Sequence, residues 1–252
     1  MRVLIVPDAH LKAWILTVAK KIMKKYGIER AVVLGDVLDD WGKQRAVILY
    51  EEMLRACIDF AKEFPDTIWL WGNHEVAYLD PYCECSGHSH FAFATVATML
   101  HDLREALNDE IRIAARIDNV LFSHAGIAEC ECRAYMDDSI SPVQEWDNII
   151  DHFNNANYRS LWTNTSPLWY RPDKRMPAYS RRGCLQIAGH TPVSMASLCG
   201  NLLIVDTFST DQKMRPLGSQ LFTIVDTETC ELTFVDKNAE IVSDREVAGR
   251  AW

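Results

Sequence analysis

The feature of this 252-residue chain that most constrains its fold is an alternation of short apolar runs and longer amphipathic stretches. The apolar runs cover residues 3–6, 31–34 and 67–71, and the amphipathic stretches between them cover residues 11–26 and 44–64. Apolar residues at consecutive positions are typical of strands buried on both faces of a partly parallel sheet. The pattern therefore predicts a strand-helix-strand-helix-strand order and an α/β fold.

The second half of the chain contains further strand and helix signals. The apolar spacing predicts a helix over residues 91–108 after a Cys/His/Gly-rich loop. Further strands are predicted over residues 111–115, 120–122, 185–188, 202–205, 221–225 and 232–235, the last two as a hairpin. Residues 137–182, rich in Asn, Pro, Trp and Arg, indicate an irregular, cap-like insertion. We therefore expect one domain that spans residues 1–252.

Polar residues follow several of the predicted strands directly. They are Asp8, His10, Asp36, Asn73, His124 and His190. The carboxyl ends of parallel strands meet at one edge of a sheet, where open α/β sheets bind their ligands. Two divalent ions about 3.5 to 4 Å apart need a bridging carboxylate together with imidazole or oxygen ligands. These residues supply such a set, so we predict that they bind metal.

The motifs around these residues resemble those of the calcineurin-like metallophosphoesterases. They are Asp8-x-His10, Gly35-Asp36-x-x-Asp39, Gly72-Asn73-His74-Glu75, His124-Ala125-Gly126 and Gly189-His190-Thr191-Pro192. The Asn-His-Glu form and the single histidine before Thr-Pro are similar to the phosphoprotein phosphatase branch with its bacterial and phage members. The resemblance implies a four-layer α/β/β/α sandwich of two mixed sheets. It also implies that Asp8, His10 and Asp36 hold a first metal ion, and that Asp36, Asn73, His124 and His190 hold a second.

The resemblance implies hydrolysis of phosphomonoesters by a metal-bound hydroxide. His74 is then expected to protonate the leaving oxygen, with Asp39 orienting its imidazole. Mn²⁺ is the expected ion, although Fe, Zn, Ni and Co suit the same ligands. Glu75 fits a carboxylate at a helix start better than a metal ligand.

Phosphate recognition departs from the family pattern at one position. After the bridging aspartate, Asp36, the family has the motif Asp-Arg-Gly, whereas this chain has Asp39, Asp40, Trp41 and Gly42. A carboxylate, Asp40, therefore stands where the family has its phosphate-binding arginine. The segment 166–171 resembles a Leu-Trp-x-Arg stretch of bacterial members, whose arginine binds phosphate. Arg171 is therefore the first candidate, because a guanidinium binds phosphate oxygens in a bidentate way. Additional candidates for contact with substrate are Asn73, Arg181 and Arg182.

Charge and cysteine content limit the remaining partners. The net charge of −9 argues against an extended nucleic-acid-binding surface, and no apolar run approaches the about 20 residues of a membrane span. We predict a soluble, cytoplasmic protein whose eight cysteines stay reduced. An extra structural zinc is a second interpretation of four of them, Cys83, Cys85, Cys130 and Cys132.

Three functions are compatible with the sequence. The first is a phosphomonoester phosphatase whose candidate substrates include phosphoserine and phosphothreonine in proteins. The second is a nucleotide or dinucleoside polyphosphate hydrolase, or a nucleic-acid-end phosphatase, in which Trp41, Trp146, Trp162 or Trp169 would stack on a base. The third is a non-catalytic metal-binding scaffold, which would have no need of His74 and Asp39 beside a full ligand set.

Overall fold

The computed structural model describes residues 1–242 except the side chain of Arg182, so the end of the expected domain, residues 243–252, lies outside the described residues. The first half follows the predicted order, with strands β1 (Arg2–Val6), β2 (Arg30–Val33) and β3 (Ile68–Leu70) alternating with helices α1 (Trp14–Tyr26) and α2 (Val47–Glu63). The elements that follow are α3 (Asn73–Leu79), α4 (Phe93–Ala106), β4 (Ile111–Arg112), β5 (Ala114–Ile117), β6 (Val120–Ser123), α5 (Glu129–Cys132), α6 (Pro142–Asn154), β7 (Leu185–Ala188), β8 (Ser197–Cys199), β9 (Leu202–Ile204), β10 (Phe222–Asp226), β11 (Leu232–Val235) and β12 (Ile241–Val242).

The first sheet has seven strands in the order β12-β11-β10-β1-β2-β3-β4. Strands β1 to β4 are parallel to one another, and β10 pairs with β1 in the antiparallel direction. The predicted hairpin of β10 and β11 is present, with Phe222 opposite Val235. Because β1, β2 and β3 are parallel, the residues that follow them share one edge of the sheet.

The second sheet has five strands in the order β5-β6-β7-β9-β8. The single strand expected over residues 111–115 is divided between the sheets, because β4 joins the first sheet and β5 joins the second. At the crossing, Asn154 Oδ1 accepts the backbone N–H groups of Ile113 and Ala114 at 2.8 and 3.1 Å. The side chain of Asn154, at the end of α6, thus provides hydrogen bonds for backbone N–H groups that have no strand partner at the crossing.

The two sheets pack face to face. Their shared core includes Val3, Ile5, Val32 and Leu34 from the first sheet and Phe122, Ile187 and Leu203 from the second. The opposite face of the first sheet, with Leu4, Val6 and Val33, packs against α1 and α2. Helix α6 contacts β5 on the outer side of the second sheet. The architecture is therefore the predicted α/β/β/α sandwich of two mixed sheets.

The stretch 137–182 differs from the expectation of irregular structure, because residues 142–154 form the regular helix α6. Ser141 caps this helix by accepting the N–H of Gln144 at 3.2 Å. Its buried face includes Trp146, Ile149 and Phe153, whose spacing is helical. Trp146 is only 4% exposed, so it is a core residue and is excluded as one of the stacking rings that the nucleotide interpretation offered. Residues 155–180 contain no regular helix or strand.

None of the helices in the described part of the chain is long and apolar enough to cross a membrane.

Candidate metal centre

Candidate ligands from both sheets lie at the carboxyl ends of strands. Asp8, Asp36 and Asn73 follow β1, β2 and β3 of the first sheet. His124 and His190 follow β6 and β7 of the second sheet. The fold therefore brings together residues that are up to 182 positions apart in sequence.

The densest group of ligand atoms joins the two sheets. His124 Nε2 lies 3.0 Å from Asn73 Oδ1, 3.1 Å from His190 Nδ1 and 3.3 Å from Asp36 Oδ2. Ligand atoms about 2.0 to 2.2 Å from one ion in a tetrahedral arrangement are about 3.3 Å apart, so the observed spacing fits an ion among these atoms. The N–H at Nδ1 of His124 donates to the Leu34 carbonyl at 2.9 Å, which leaves Nε2 as the ligand atom.

A second group of ligand atoms lies beside the first. His10, Asp36 and His74 each place one such atom within 4.8 Å of the other two. The N–H at Nδ1 of His10 donates to the carbonyls of Asp39 at 2.8 Å and Leu38 at 3.1 Å, so Nε2 is free to bind an ion. Burial and the neighbouring His74 lower the pKa of His10, which favours the neutral form that binds metal. Asp36 belongs to both groups of candidate ligand atoms.

Asp8 is held against the second sheet. Its Oδ2 accepts the backbone N–H of His190 at 2.9 Å, and its buried Oδ1 has no hydrogen-bond partner. A Cβ atom at Gly189 would lie 1.9 Å from that Oδ1, so only glycine permits the close approach. Burial and the carboxylate of Asp206 raise the pKa of Asp8 well above its usual value. A cation would relieve both the unpaired oxygen and the repulsion between these carboxylates.

Several of these residues have positive φ angles, which residues other than glycine rarely adopt. The φ angles of His10, Asp36, Asp39 and His190 are +43°, +49°, +56° and +63°. Positive φ costs free energy for residues other than glycine and is concentrated at functional sites. The turns that follow the strands are thus bent in a way that aims these side chains at one point.

Glu75 supports the turn after β2 and does not face the ligand groups. Its carboxylate accepts the backbone N–H groups of Asp36, Val37, Leu38 and Gly72 at 2.8 to 3.0 Å. It is also the third residue of α3, where the helix dipole favours a negative charge. Its surroundings agree with the structural role expected from the sequence.

His74 and Asp39 form a hydrogen-bonded pair next to the ligand groups. His74 Nδ1 lies 2.9 Å from Asp39 Oδ2, and His74 Nε2 lies 3.9 Å from Asp36 Oδ2. Burial alone would lower the pKa of His74, but the carboxylates of Asp36 and Asp39 outweigh it and raise this pKa well above its usual value. These carboxylates therefore favour the protonated form of the imidazole.

Two buried tyrosines that the sequence analysis did not single out hold Asp39. The hydroxyls of Tyr50 and Tyr78 both donate to Asp39 Oδ1, at 2.8 and 2.7 Å. Burial and the carboxylate of Asp39 raise the pKa of both hydroxyls, which keeps them as donors. No local motif marks Tyr50 or Tyr78, because they come from α2 and α3 and meet Asp39 only in the fold.

A cleft of about 450 Å³ opens onto the two groups. Its lining includes Arg171, Trp41, Asp40 and Asp211, and Trp169 lies beside His190. The ring of Trp41 is 38% exposed, so it is a surface of the cleft and not a core residue. Arg171 is the only cationic side chain among the described residues that line the cleft, apart from any protonated histidine.

The sequence matches the model of the calcineurin-like phosphoesterase family over residues 1–211, a range that contains every candidate metal ligand. The chain is a calcineurin-like phosphoesterase. It is therefore a metal-dependent hydrolase of phosphoric esters, and the family uses divalent metal ions. No curated protein matches the chain in sequence.

Solved structures with the same fold are distant in sequence. The cold-active protein-tyrosine phosphatase of a psychrophilic Shewanella species is 16% identical with a TM-score of 0.56, covering 96% of this chain and 79% of that one. A mutant of a cold-active protein tyrosine phosphatase is 15% identical with a TM-score of 0.58 and the same coverage. A hypothetical protein from Pyrococcus horikoshii OT3 is 15% identical with a TM-score of 0.50, covering 99% and 91%. At these identities the likeness concerns the fold alone.

The position that departs from the family motif is occupied by a paired carboxylate. Asp40 Oδ1 accepts the hydroxyl of Thr210 at 2.8 Å, and Asp40 Oδ2 lies 3.5 Å from Lys12 Nζ. Lys12 also donates to the carbonyls of Ala9 and His10, at 3.5 and 3.3 Å. These contacts hold Lys12, which is not among the residues that line the cleft.

The candidate arginines lie in different places. Arg171 lines the cleft, where its Nη2 donates to the His190 carbonyl at 3.4 Å. Arg181 is outside the cleft lining and pairs with the buried carboxylate of Glu145 at 3.1 Å, so it serves the structure and not the substrate. The side chain of Arg182 lies outside the described part of the chain.

The proposed cysteine zinc site is not formed in this phosphoesterase. Among the residues that the structure describes, no group of three candidate ligands contains Cys83, Cys130 or Cys132. Cys83 and Cys132 are buried separately, and Cys130 is exposed. Sequence spacing within each Cys-x-Cys pair could not reveal this, because one pair lies in the loop between α3 and α4 and the other lies in α5. Cys85 lies next to His74 instead.

Proposed function

We propose that this phosphoesterase binds two divalent ions and hydrolyses phosphomonoesters. The first ion would be held by Asp8, His10 and Asp36, and the second by Asp36, Asn73, His124 and His190. The observation that carries the proposal is the convergence of Asn73 Oδ1, His124 Nε2 and His190 Nδ1 within 3.1 Å of one another. These nitrogen and oxygen donors suit Mn²⁺, which we expect as the ion, as well as Fe, Zn, Ni and Co.

When bound, the two ions would lower the pKa of water so that it ionises near neutral pH, and they would neutralise negative charge on the phosphoryl group. His74 donates a proton to the leaving oxygen, and Asp39 orients the ring by accepting the N–H at Nδ1. Arg171, which lines the cleft, binds phosphoryl oxygens through its guanidinium. Asn73 also lines the cleft, and its amide nitrogen is the donor that it offers to substrate.

The preferred substrate class is a phosphomonoester, including a phosphoserine or phosphothreonine side chain. Arg171 lines the cleft beside the ligand groups and offers a guanidinium to the oxygens of a terminal phosphate. The pair of His74 and Asp39 supports this assignment, since an alkyl oxygen is a poor leaving group that needs a proton.

A nucleotide or dinucleoside polyphosphate is the alternative substrate. The observation in its favour is the exposed ring of Trp41 in the cleft wall, which is able to stack on a base. Trp162 is partly buried against the core and contacts Trp169 edge to face, with ring centroids 4.9 Å apart. An aromatic wall would suit a substrate that is larger than a simple monoester. The loss of one arginine would suit a reacting phosphate that carries less charge than that of a monoester.

Stripping the metals and adding Mn²⁺ back tests the proposed function. We expect no turnover without metal, and Mn²⁺-dependent turnover of p-nitrophenyl phosphate that exceeds that of bis-p-nitrophenyl phosphate. A phosphoserine peptide and a dinucleoside tetraphosphate then separate the two substrate classes. Faster hydrolysis of the diester or the dinucleoside would favour the alternative, and no metal-dependent turnover of any of the four would overturn the proposal.

The double substitution Tyr50→Phe with Tyr78→Phe tests how Asp39 is held. Each hydroxyl donates to a charged acceptor, an interaction typically worth about 1.5 to 3 kcal/mol. We expect kcat for an alkyl phosphate to fall at least about tenfold, with a smaller loss for p-nitrophenyl phosphate, whose leaving group needs no proton. In a His74→Asn background the same pair of substitutions should cause no further loss, because positioning acts through His74. Equal losses with both esters would exclude that route.

A further inference from the structure

The Nδ1 atom of His74 belongs to a further group of potential metal ligands. The proposed catalytic reaction does not use this group to bind a metal ion. Cys85 Sγ lies 3.5 Å from His74 Nδ1, and Asp39 Oδ2 lies 2.9 Å from the same nitrogen. One ligand atom from each of these residues lies within 4.8 Å of the other two. Ser86 and Gly87, from the same loop as Cys85, line the cleft, so an ion in the cleft can reach the group.

The distances within this group fit tetrahedral zinc. Bond lengths of about 2.3 Å to sulfur and about 2.0 to 2.1 Å to nitrogen place the two atoms about 3.5 Å apart, which is the separation between Cys85 Sγ and His74 Nδ1. The same geometry places nitrogen and oxygen about 3.3 Å apart, so His74 and Asp39 would have to separate by about 0.4 Å from their present 2.9 Å. A small side-chain movement is enough.

We propose that Cys85, His74 and Asp39 form an inhibitory zinc site, distinct from the pair of catalytic ions. Water from the cleft completes the fourth position. The donors of the catalytic centre are nitrogen and oxygen, whereas a thiolate selects zinc and other soft ions over Mn²⁺. The site therefore discriminates between an activating and an inhibiting metal.

Zinc at this site removes the acid from the reaction. Its binding releases the thiol proton of Cys85 and the Nδ1 proton of His74. It also replaces the hydrogen bond between His74 and Asp39, and the ring becomes a neutral ligand. His74 is then no longer an imidazolium that can protonate a leaving oxygen. The inhibition rests on the function proposed for His74, whereas the binding of zinc does not.

Binding is tested spectroscopically on the Mn²⁺-loaded protein with Co²⁺ as the probe. We expect a thiolate-to-cobalt charge-transfer band in the near ultraviolet that Zn²⁺ abolishes. The band should be missing in Cys85→Ser and Cys85→Ala and present in two controls, Cys83→Ser and Cys130→Ser. Cys83 is from the same loop but outside the group, and Cys130 is exposed. A band that survives in the Cys85 variants, or is missing in the wild type, would overturn the site.

Inhibition is tested by titrating Zn²⁺ into the Mn²⁺-loaded protein during hydrolysis of an alkyl phosphate. Saturating Zn²⁺ should lower kcat by about 10²-fold or more, the usual contribution of a general acid. In Cys85→Ser the apparent zinc affinity should fall at least about tenfold. Equal inhibition of both proteins would indicate metal exchange at the catalytic centre and overturn the inhibitory role. A wild type that hydrolyses no ester would instead overturn the proposed function, and the cobalt spectrum would still decide zinc binding.

Discussion

Asp36→Asn is expected to abolish phosphoesterase activity, with kcat lowered more than about 10⁴-fold for every ester. Asp36 belongs to both ligand groups, and its Oδ2 lies 3.3 Å from His124 Nε2. Asparagine keeps the shape and can still accept the backbone N–H of His74, which is 3.0 Å from Oδ1. It lacks the charge that two adjacent cations need between them. The measurements are kcat for an aryl and an alkyl phosphate and the metal content per chain.

The control for this variant is Asp147→Asn. Asp147 is a half-exposed carboxylate that pairs with Arg116 at 3.1 Å and is not among the residues that line the cleft. We expect wild-type activity and two bound ions for the control, and fewer than two ions for Asp36→Asn. If Asp36→Asn kept two ions and activity within tenfold of the wild type, the bridging role would be wrong.

His74→Asn is expected to lower kcat for an alkyl phosphate by about 10² to 10⁴-fold and to affect p-nitrophenyl phosphate much less. An alkoxide leaves only with a proton, whereas p-nitrophenolate is stable without one. The structure supports a proton at His74, because Asp39 accepts its N–H at 2.9 Å and raises its pKa together with Asp36. The measurement is the ratio of the two rates in wild type and variant at equal metal occupancy.

Metal content separates this role from a second possibility at the same residue. His74 shares a ligand group with His10 and Asp36, so a metal ligand would also be lost if His74 bound the first ion. Unchanged metal content with a leaving-group-dependent loss supports the acid. A loss that is equal for both esters and is accompanied by release of metal would make His74 a ligand. His101→Asn, at an exposed histidine, is the matched control.

The sequence predicted the strands well where burial on both faces left consecutive apolar residues. Strands β1, β2 and β3 fall within the predicted runs or one residue outside them. It did less well where tertiary contacts decide the structure. Strands β4 and β5 appeared as one run because no local sequence signal shows that the backbone changes sheets at Ile113. There the side chain of Asn154, from α6, accepts the backbone N–H of Ile113. Helix α6 was missed because a composition rich in turn-forming residues hid an apolar spacing of helical period.

The amino-acid sequence by itself determined the chemistry that the centre can offer. It places carboxylate, imidazole and amide groups directly after strands, and parallel strands bring such groups to one edge of their own sheet. Only the tertiary structure decided how each group is paired. Asp39 receives Tyr50 and Tyr78, and His74 meets Cys85. The reason is physical: each contact depends on side chains from separate elements whose distances are fixed by packing of the core, and spacing along the chain carries no record of it.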